Sequence, residues 1–267
     1  MRLADVRALA GEARSLGLVV RDAVSVERAG PIVVSGVLAE QLAKELAAGA
    51  EPGAVRVGSG RPEPGASVHV HVIAGDPTSE DEALARDASR HALDVVLVEL
   101  WPQADWTRPF VLSPFVIECR AGEGFPIRKI ADRIVETTDD ATELASRVPV
   151  LAEATRSALV RRAVVRSALI GTLGSRLGAS RPLLVREQVR LVTRLRAVSA
   201  GSPVSQELPV LGGGAAALLA SGLALRQVAR SARAVLPAPL AHAAIAAAGT
   251  WGLAKAFGAL ESRLPGA

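Results

Sequence analysis

The chain has few of the residues that build several common kinds of site. Cysteine occurs once, as Cys119, which excludes a disulfide-stabilised scaffold and fits a reducing compartment. Four histidines and one cysteine are too few to favour a closed structural zinc site. There is no tyrosine, and four phenylalanines and three tryptophans in 267 residues are too few for a base-stacking nucleic-acid surface.

The N-terminus also lacks the uninterrupted apolar segment of a secretory signal. Residues 1–17 instead have the pattern of an amphipathic helix with charges spread through it, so we expect a cytoplasmic protein. Hydrophobic residues make up 49% of the chain, which excludes disorder as its main state. The length allows one large domain or two small ones.

The net charge of +4 is distributed very unevenly along the chain. Residues 1–150 hold 16 basic and 23 acidic residues, a net charge of −7, whereas residues 151–267 hold 15 and 4, a net charge of +11. The two values sum to the +4 of the whole chain. This asymmetry indicates two modules, of which the second has an anionic partner.

Residues 1–138 have the pattern of an α/β domain. Short runs rich in Val and Ile alternate with helical patterns, which predicts a parallel sheet with helices on both faces. The predicted strands are residues 31–36, 54–57, 68–75, 94–100 and 115–119, and the predicted helices are residues 37–48, 79–91 and 126–136.

Nucleotide-binding chemistry is absent from the carboxyl ends of these strands, where ligands of such sheets bind. Gly36 begins a potential P-loop, but Gln41 replaces its second glycine, and Leu42 and Ala43 replace the Lys and Ser/Thr that contact phosphate and magnesium. The residues before Asp105 are Pro102-Gln103 and not the Asn-Lys of a guanine-reading motif. We therefore predict a domain without catalysis or cofactor.

Two further features allow a metal but favour a simpler interpretation. Asp76 follows the third strand and can hold magnesium, but capping of the next helix by Asp76 or Ser79 is the preferred reading. His69 and His71 alternate along one strand and therefore share a face. No third ligand is evident, so packing within the sheet is favoured over a metal site.

Residues 139–267 show only helical patterns and predict an all-α, alanine-rich domain. A long helical pattern follows Pro149, and a second helix begins near Ser180 and ends near Gly201. Arg186, Arg190 and Arg194 lie four residues apart on the second helix, with only Glu187 near enough to offset them. This row indicates an anionic surface opposite it, unless it is simply a solvated face.

Two runs without formal charge follow, at residues 208–225 and 234–254, separated by a basic turn. Their lengths reach the threshold for crossing a bilayer, but their Ala, Gly and Pro content equally suits a packed helical bundle or an oligomer core. Trp251 and Lys255 suit a membrane interface or an ordinary helix end. The basic turn supplies further candidates for anionic contact: Arg226, Arg230 and Arg233.

The second module resembles the YcjF-type domain-of-unknown-function family. The resemblance rests on residues 183–201 (LLVREQVRLVTRLRAVSAG), Leu236-Pro237 and the segment AGTWGLA at 248–254, within about 100 residues. The family has no assigned reaction, and its module often accompanies GTPase-like domains and is often membrane-associated. The resemblance implies that the first module is a degenerate, P-loop-less GTPase-like domain.

Together these observations predict a non-enzymatic protein of two modules, with boundaries at 1–138 and 139–267. The basic module is expected to bind the inner face of the cell membrane or a protein. The alternative is a soluble scaffold whose partner is a true GTPase. An active nucleotide hydrolase and a nucleic-acid-binding protein are both disfavoured, because their motifs are missing.

Overall fold

A computed structural model describes residues 29–75, 77–102, 116–139, 141–177, 180–201 and 238–261. These residues fall into two compact units that divide the chain between Thr155 and Arg156. The sequence prediction placed the boundary earlier, between residues 138 and 139. Several sequence predictions lie outside the described residues, namely those for residues 1–17, Asp76, Asp105, the run 208–225 and the three arginines of the basic turn, Arg226, Arg230 and Arg233.

The first unit contains a five-stranded parallel sheet, as predicted. Its spatial order is β2-β1-β3-β4-β5, and every neighbouring pair is parallel. This is a doubly wound order, in which the direction of strand addition reverses between β1 and β3. The strands are β1 (Ile32–Gly36), β2 (Val55–Val57), β3 (Val68–Ala74), β4 (Val95–Leu100) and β5 (Val116–Cys119).

Among the described residues, helices join two of the four consecutive strand pairs, and a third helix follows the last strand, all close to the predicted positions. Helix α1 (Ala39–Leu46) joins β1 to β2, α2 (Ser79–Arg90) joins β3 to β4, and α3 (Ile127–Thr137) follows β5. The two crossovers run in opposite directions across the sheet. Because parallel crossovers are right-handed, α1 and α2 cover opposite faces.

The two faces of the sheet differ in chemistry. On the α1 face, β1, β3 and β4 contribute buried aliphatic side chains such as Val34, Val70 and Val98. On the α2 face, the same three strands bury polar groups, which include Glu99 of β4. Because successive side chains of a strand point to opposite faces, these polar groups all lie on the α2 face.

Residues 141–155 belong to the first unit. They form α4 (Ala141–Arg147), a 3-10 turn (Pro149–Leu151) and the start of α5 (Ala152–Leu177). Arg147 ties this segment to the sheet unit, because it donates to Glu51 Oε2 at 2.7 Å and to the Ala29 carbonyl oxygen at 2.6 Å. Leu144 and Leu151 are fully buried. These contacts explain why the compact unit extends beyond residue 138.

The second unit, from Arg156 onward, is helical over its described residues. Helix α6 (Ser180–Ala200) runs antiparallel to α5, since Arg156 contacts Ser199 and Arg166 approaches Glu187. Helix α6 buries an apolar face that contains Leu191, Val192, Leu195 and Val198.

Helix α7 (Ala238–Glu261) packs closely against α5 and runs antiparallel to it. Thr250 donates to the buried hydroxyl of Ser167 at 2.9 Å. Further along, Gly171 approaches the backbone of α7 so closely that an added Cβ would lie 2.6 Å from the His242 carbonyl oxygen. Among the described residues, no helix is both long enough and apolar enough to cross a membrane.

Candidate functional site

The helical unit brings four arginines together on two antiparallel helices. Arg162 and Arg166 lie one turn apart on α5, and Arg190 and Arg194 lie one turn apart on α6. We call these four residues the arginine cluster. The carboxylate of Glu187 lies beside them, with its Oε2 atom 3.8 Å from Arg166 Nη1.

The pKa of Arg194 shows the effect of burial and of the neighbouring positive charges. Partial burial and the neighbouring charges of Arg190, Arg166 and Arg162 lower the pKa of Arg194 to about 10, although Glu187 acts in the opposite direction. A guanidinium normally titrates above about 12. Arg194 stays charged at neutral pH, but its surroundings disfavour that charge. An anion that binds here would relieve this repulsion.

The structure brings together part of the predicted arginine set. Arg190 and Arg194 lie within the cluster, and both are partly buried, while Arg186 of the same row is exposed. The sequence pattern of α6 alone does not reveal Arg162 and Arg166, because they lie on a different helix. The available signal was the pairing of α5 and α6 across a short connection, which predicts an antiparallel hairpin and places two basic rows side by side.

A second group of polar residues lies buried in the first unit. The β1–β3 register places Ser35 beside His71, with His69 two residues earlier on the same face. Ser35 Oγ lies 2.7 Å from His69 Nε2 and 2.7 Å from His71 Nδ1, and His71 Nε2 lies 2.6 Å from Asp81 Oδ1. We call these four residues the serine–histidine network.

The carboxylate of Asp81 orders the hydrogen bonds of this network. Burial opposes its ionisation, but hydrogen bonds from His71 and Thr78 outweigh burial and lower the pKa of Asp81. An ionised Asp81 only accepts, so His71 Nε2 donates to it. When His71 is neutral, its Nδ1 atom then accepts from Ser35. Ser35 then accepts from His69 Nε2.

The far end of the network is neutral. Burial, followed by the proximity of His71, lowers the pKa of His69 to about 4. His69 Nδ1 has no hydrogen-bond partner within the described part of the chain, which is consistent with an unprotonated nitrogen. The two histidines share a face, as predicted, but hydrogen bonds and not simple packing hold them.

The network contains the residue types of a Ser–His–Asp hydrolase but lacks their accessibility. A catalytic serine must reach a substrate carbonyl. Ser35 is 1% exposed and His69 is 0% exposed. The arrangement therefore stabilises β1, β3 and α2 against one another. The described residues contain no group of three or more His, Cys, Asp or Glu side chains that could hold a metal.

The residue that caps α2 differs from both predicted candidates. Thr78, and not Asp76 or Ser79, is the N-cap of α2, and it forms a capping box with Asp81. Thr78 N and Thr78 Oγ1 each donate to Asp81 Oδ2 at 2.7 Å. Thr78 is a residue type that favours the N-cap position, as the predicted candidates are. Thr78 takes this position because Asp81 completes the capping box with it while also contacting His71.

The loop after β1 has a tight geometry and no phosphate-binding side chain. Gly36 has φ of +92°, and an added Cβ would lie 2.1 Å from the Val72 carbonyl oxygen. Leu38 precedes α1 in a left-handed conformation without a side-chain cap. Leu42 and Ala43, at the positions of the P-loop Lys and Ser/Thr, are buried.

No protein-family model, curated protein or solved structure matches this chain.

Proposed function

We propose that this protein is a non-enzymatic, membrane-associated protein whose helical unit binds anionic phospholipid headgroups. The observation that carries the proposal is the arginine cluster. Four guanidinium groups from α5 and α6 lie together, and Glu187 approaches one of them, that of Arg166. Partial burial, followed by the charges of the other three arginines, lowers the pKa of Arg194. Phosphate groups of a membrane surface would add negative charge beside the cluster, at about 1 kcal/mol per basic residue.

For the first unit we propose a GTPase-like α/β domain that has lost nucleotide chemistry. The doubly wound strand order and the glycine turn after β1 support this assignment, as does the resemblance of the second module to the YcjF-type family. Burial of Leu42 and Ala43 argues against phosphate contact from α1. Calorimetry with GTP and ATP in the presence of magnesium tests this part, and micromolar binding of either nucleotide would contradict it.

Flotation of the full chain with vesicles tests the membrane proposal. We compare phosphatidylcholine vesicles with vesicles that also contain phosphatidylglycerol, at low salt. The chain is expected to float only with the anionic vesicles. The double variant Arg190→Gln/Arg194→Gln is expected to bind about 30-fold more weakly, because it loses two basic contacts of ~1 kcal/mol each.

The matched control removes two exposed arginines of the first unit, Arg61→Gln/Arg120→Gln. It changes the net charge equally and is expected to float like the unmodified chain. Since Arg194 is partly buried, Arg190→Gln alone serves as a second variant if the double variant unfolds. Equal loss in variant and control, or no flotation with anionic vesicles, would contradict the proposal and favour a scaffold with a GTPase partner.

A further inference from the structure

An open groove of about 720 Å³ runs along the helical unit between α5 and α7. We call it the α5–α7 groove. Its lining is largely apolar: Val160 and Val164 come from α5, Phe257 comes from α7, and the buried Leu195 contributes from α6. The volume lies within the range of about 300–1,000 Å³ typical of small-molecule sites.

Two large apolar side chains at the groove are exposed to solvent. Trp251 is 54% exposed and Val165 is 54% exposed, and both line the groove. Exposing a tryptophan and a valine beside an apolar channel costs free energy unless a ligand covers them. The groove therefore has the chemistry of a binding surface for an apolar group.

The charged residues among the described lining of the groove are all basic. They are Arg156, Arg161 and Lys255. Lys255 Nζ lies 5.6 Å from the centre of the Trp251 ring, which is a cation–π contact. Such a pair suits the boundary between an apolar chain and an anionic headgroup.

The neutral polar groups needed to hold an extended peptide are scarce in the groove. Among the described lining residues, the uncharged polar groups are the Ser157 hydroxyl and the indole N–H of Trp251. A peptide would bring backbone N–H and C=O groups that require partners, whereas an alkyl chain brings none. The combination of apolar walls and a cationic rim thus fits an amphiphile better than a polypeptide.

We propose that the α5–α7 groove binds a single long-chain fatty acid. The alkyl chain lies along Val160, Val164 and Phe257, and the carboxylate lies near Lys255. The groove uses a different set of residues from the arginine cluster, so this site goes beyond the proposed attachment to a membrane surface. A single fatty-acid molecule in solution can occupy the groove, without a membrane or vesicle.

Fluorescence quenching by a brominated stearate tests the site in the full chain. The variant Trp101→Phe/Trp106→Phe leaves Trp251 as the only tryptophan. Saturable quenching is expected below the concentration at which the stearate forms micelles. The methyl ester of the same acid is expected to bind more weakly, and Lys255→Gln to weaken binding of the acid about fivefold, as for one cationic contact.

Two glycines of α7 provide a matched pair of variants. An added side chain meets open space at both Gly252 and Gly258, but only Gly258 lines the groove. Gly258→Leu is expected to fill the groove and weaken stearate binding at least tenfold, whereas Gly252→Leu is expected to leave it unchanged. Both variants should fold, because leucine favours helix over glycine.

Absence of saturable quenching, or equal effects of the two leucine variants, would overturn the fatty-acid site. Because no vesicle is present, this result is separate from that of the flotation experiment. If Arg190→Gln/Arg194→Gln no longer floats but still binds stearate, each proposal is supported separately. The loss of flotation would support the membrane proposal, and the intact stearate binding would support a separate fatty-acid site.

Discussion

Ser35 is the residue on which the polar face of the sheet depends. It accepts from His69 and donates to His71, while Asp81 fixes the direction of both hydrogen bonds. Each of these groups would be costly to bury alone, and a buried donor or acceptor left without its partner costs about 1–3 kcal/mol. The network therefore specifies the β1–β3 register as well as stabilising it.

The lowered pKa of His69 predicts that acid destabilises the first unit. Its pKa is about 4 when folded and 6.5 when unfolded, so the unfolded state binds more protons between these values. Stability contributed by neutral His69 is complete above pH 6.5 and is lost as the pH falls toward 4. At pH 5 the expected loss of unfolding free energy is ~2 kcal/mol.

Urea unfolding at pH 7 and pH 5 measures this loss, with His69→Gln and His91→Gln as the pair of variants. His91 is exposed at the end of α2, so its replacement is expected to preserve the pH dependence. Replacement of His69 is expected to reduce it. Equal stability of the unmodified chain at the two pH values would contradict the account of the network.

At the scale of elements, local sequence patterns predicted the strands well. The alternation in VHVHVIA correctly places His69 and His71 on one face of β3, and the Val- and Ile-rich runs mark the five strands to within about two residues. The contact of both histidines with Ser35 depends on the register between β1 and β3. That register is a non-local property that no pattern within either strand reveals.

The helical hairpin illustrates the same limit. The four-residue spacing on α6 predicts that Arg190 and Arg194 share a face. Their proximity to Arg162 and Arg166 depends on how α5 and α6 are rotated about their axes when they pack. Gly171 lies within α5 at a close approach to α7. The sequence does not reveal this contact, because the partner helix is distant along the chain.

The close approach of α5 to α7 predicts opposite effects for two identical substitutions. Gly171→Ala places a Cβ 2.6 Å from the His242 carbonyl oxygen, so the helices must separate and stability should fall. Gly258→Ala meets open space on α7 and should stabilise the helix by about 0.5–1 kcal/mol. Thermal unfolding of the two variants compares them directly. A stabilising Gly171→Ala would show that α5 and α7 do not pack in this way.

At the scale of the whole molecule, charge and chemistry are divided between two units. The first 150 residues carry a net charge of −7 and the remainder +11. Within the first unit, the described polar cluster is buried and structural. Within the second, Arg162 and Arg166 of the arginine cluster and the cationic rim of the α5–α7 groove are exposed, while Arg190 and Arg194 are partly buried. We therefore propose that the helical unit recognises anionic ligands.

Fractionation of cells that express the full chain tests the claim that the arginine cluster attaches the protein to membranes electrostatically. Membranes are washed first with concentrated salt and then with carbonate. Electrostatic attachment through the arginine cluster predicts that the protein sediments with membranes at low salt and is released by the salt wash, because salt screens exposed charges. Absence from the low-salt membrane fraction would contradict this claim, and so would retention through the carbonate wash, which requires insertion into the bilayer.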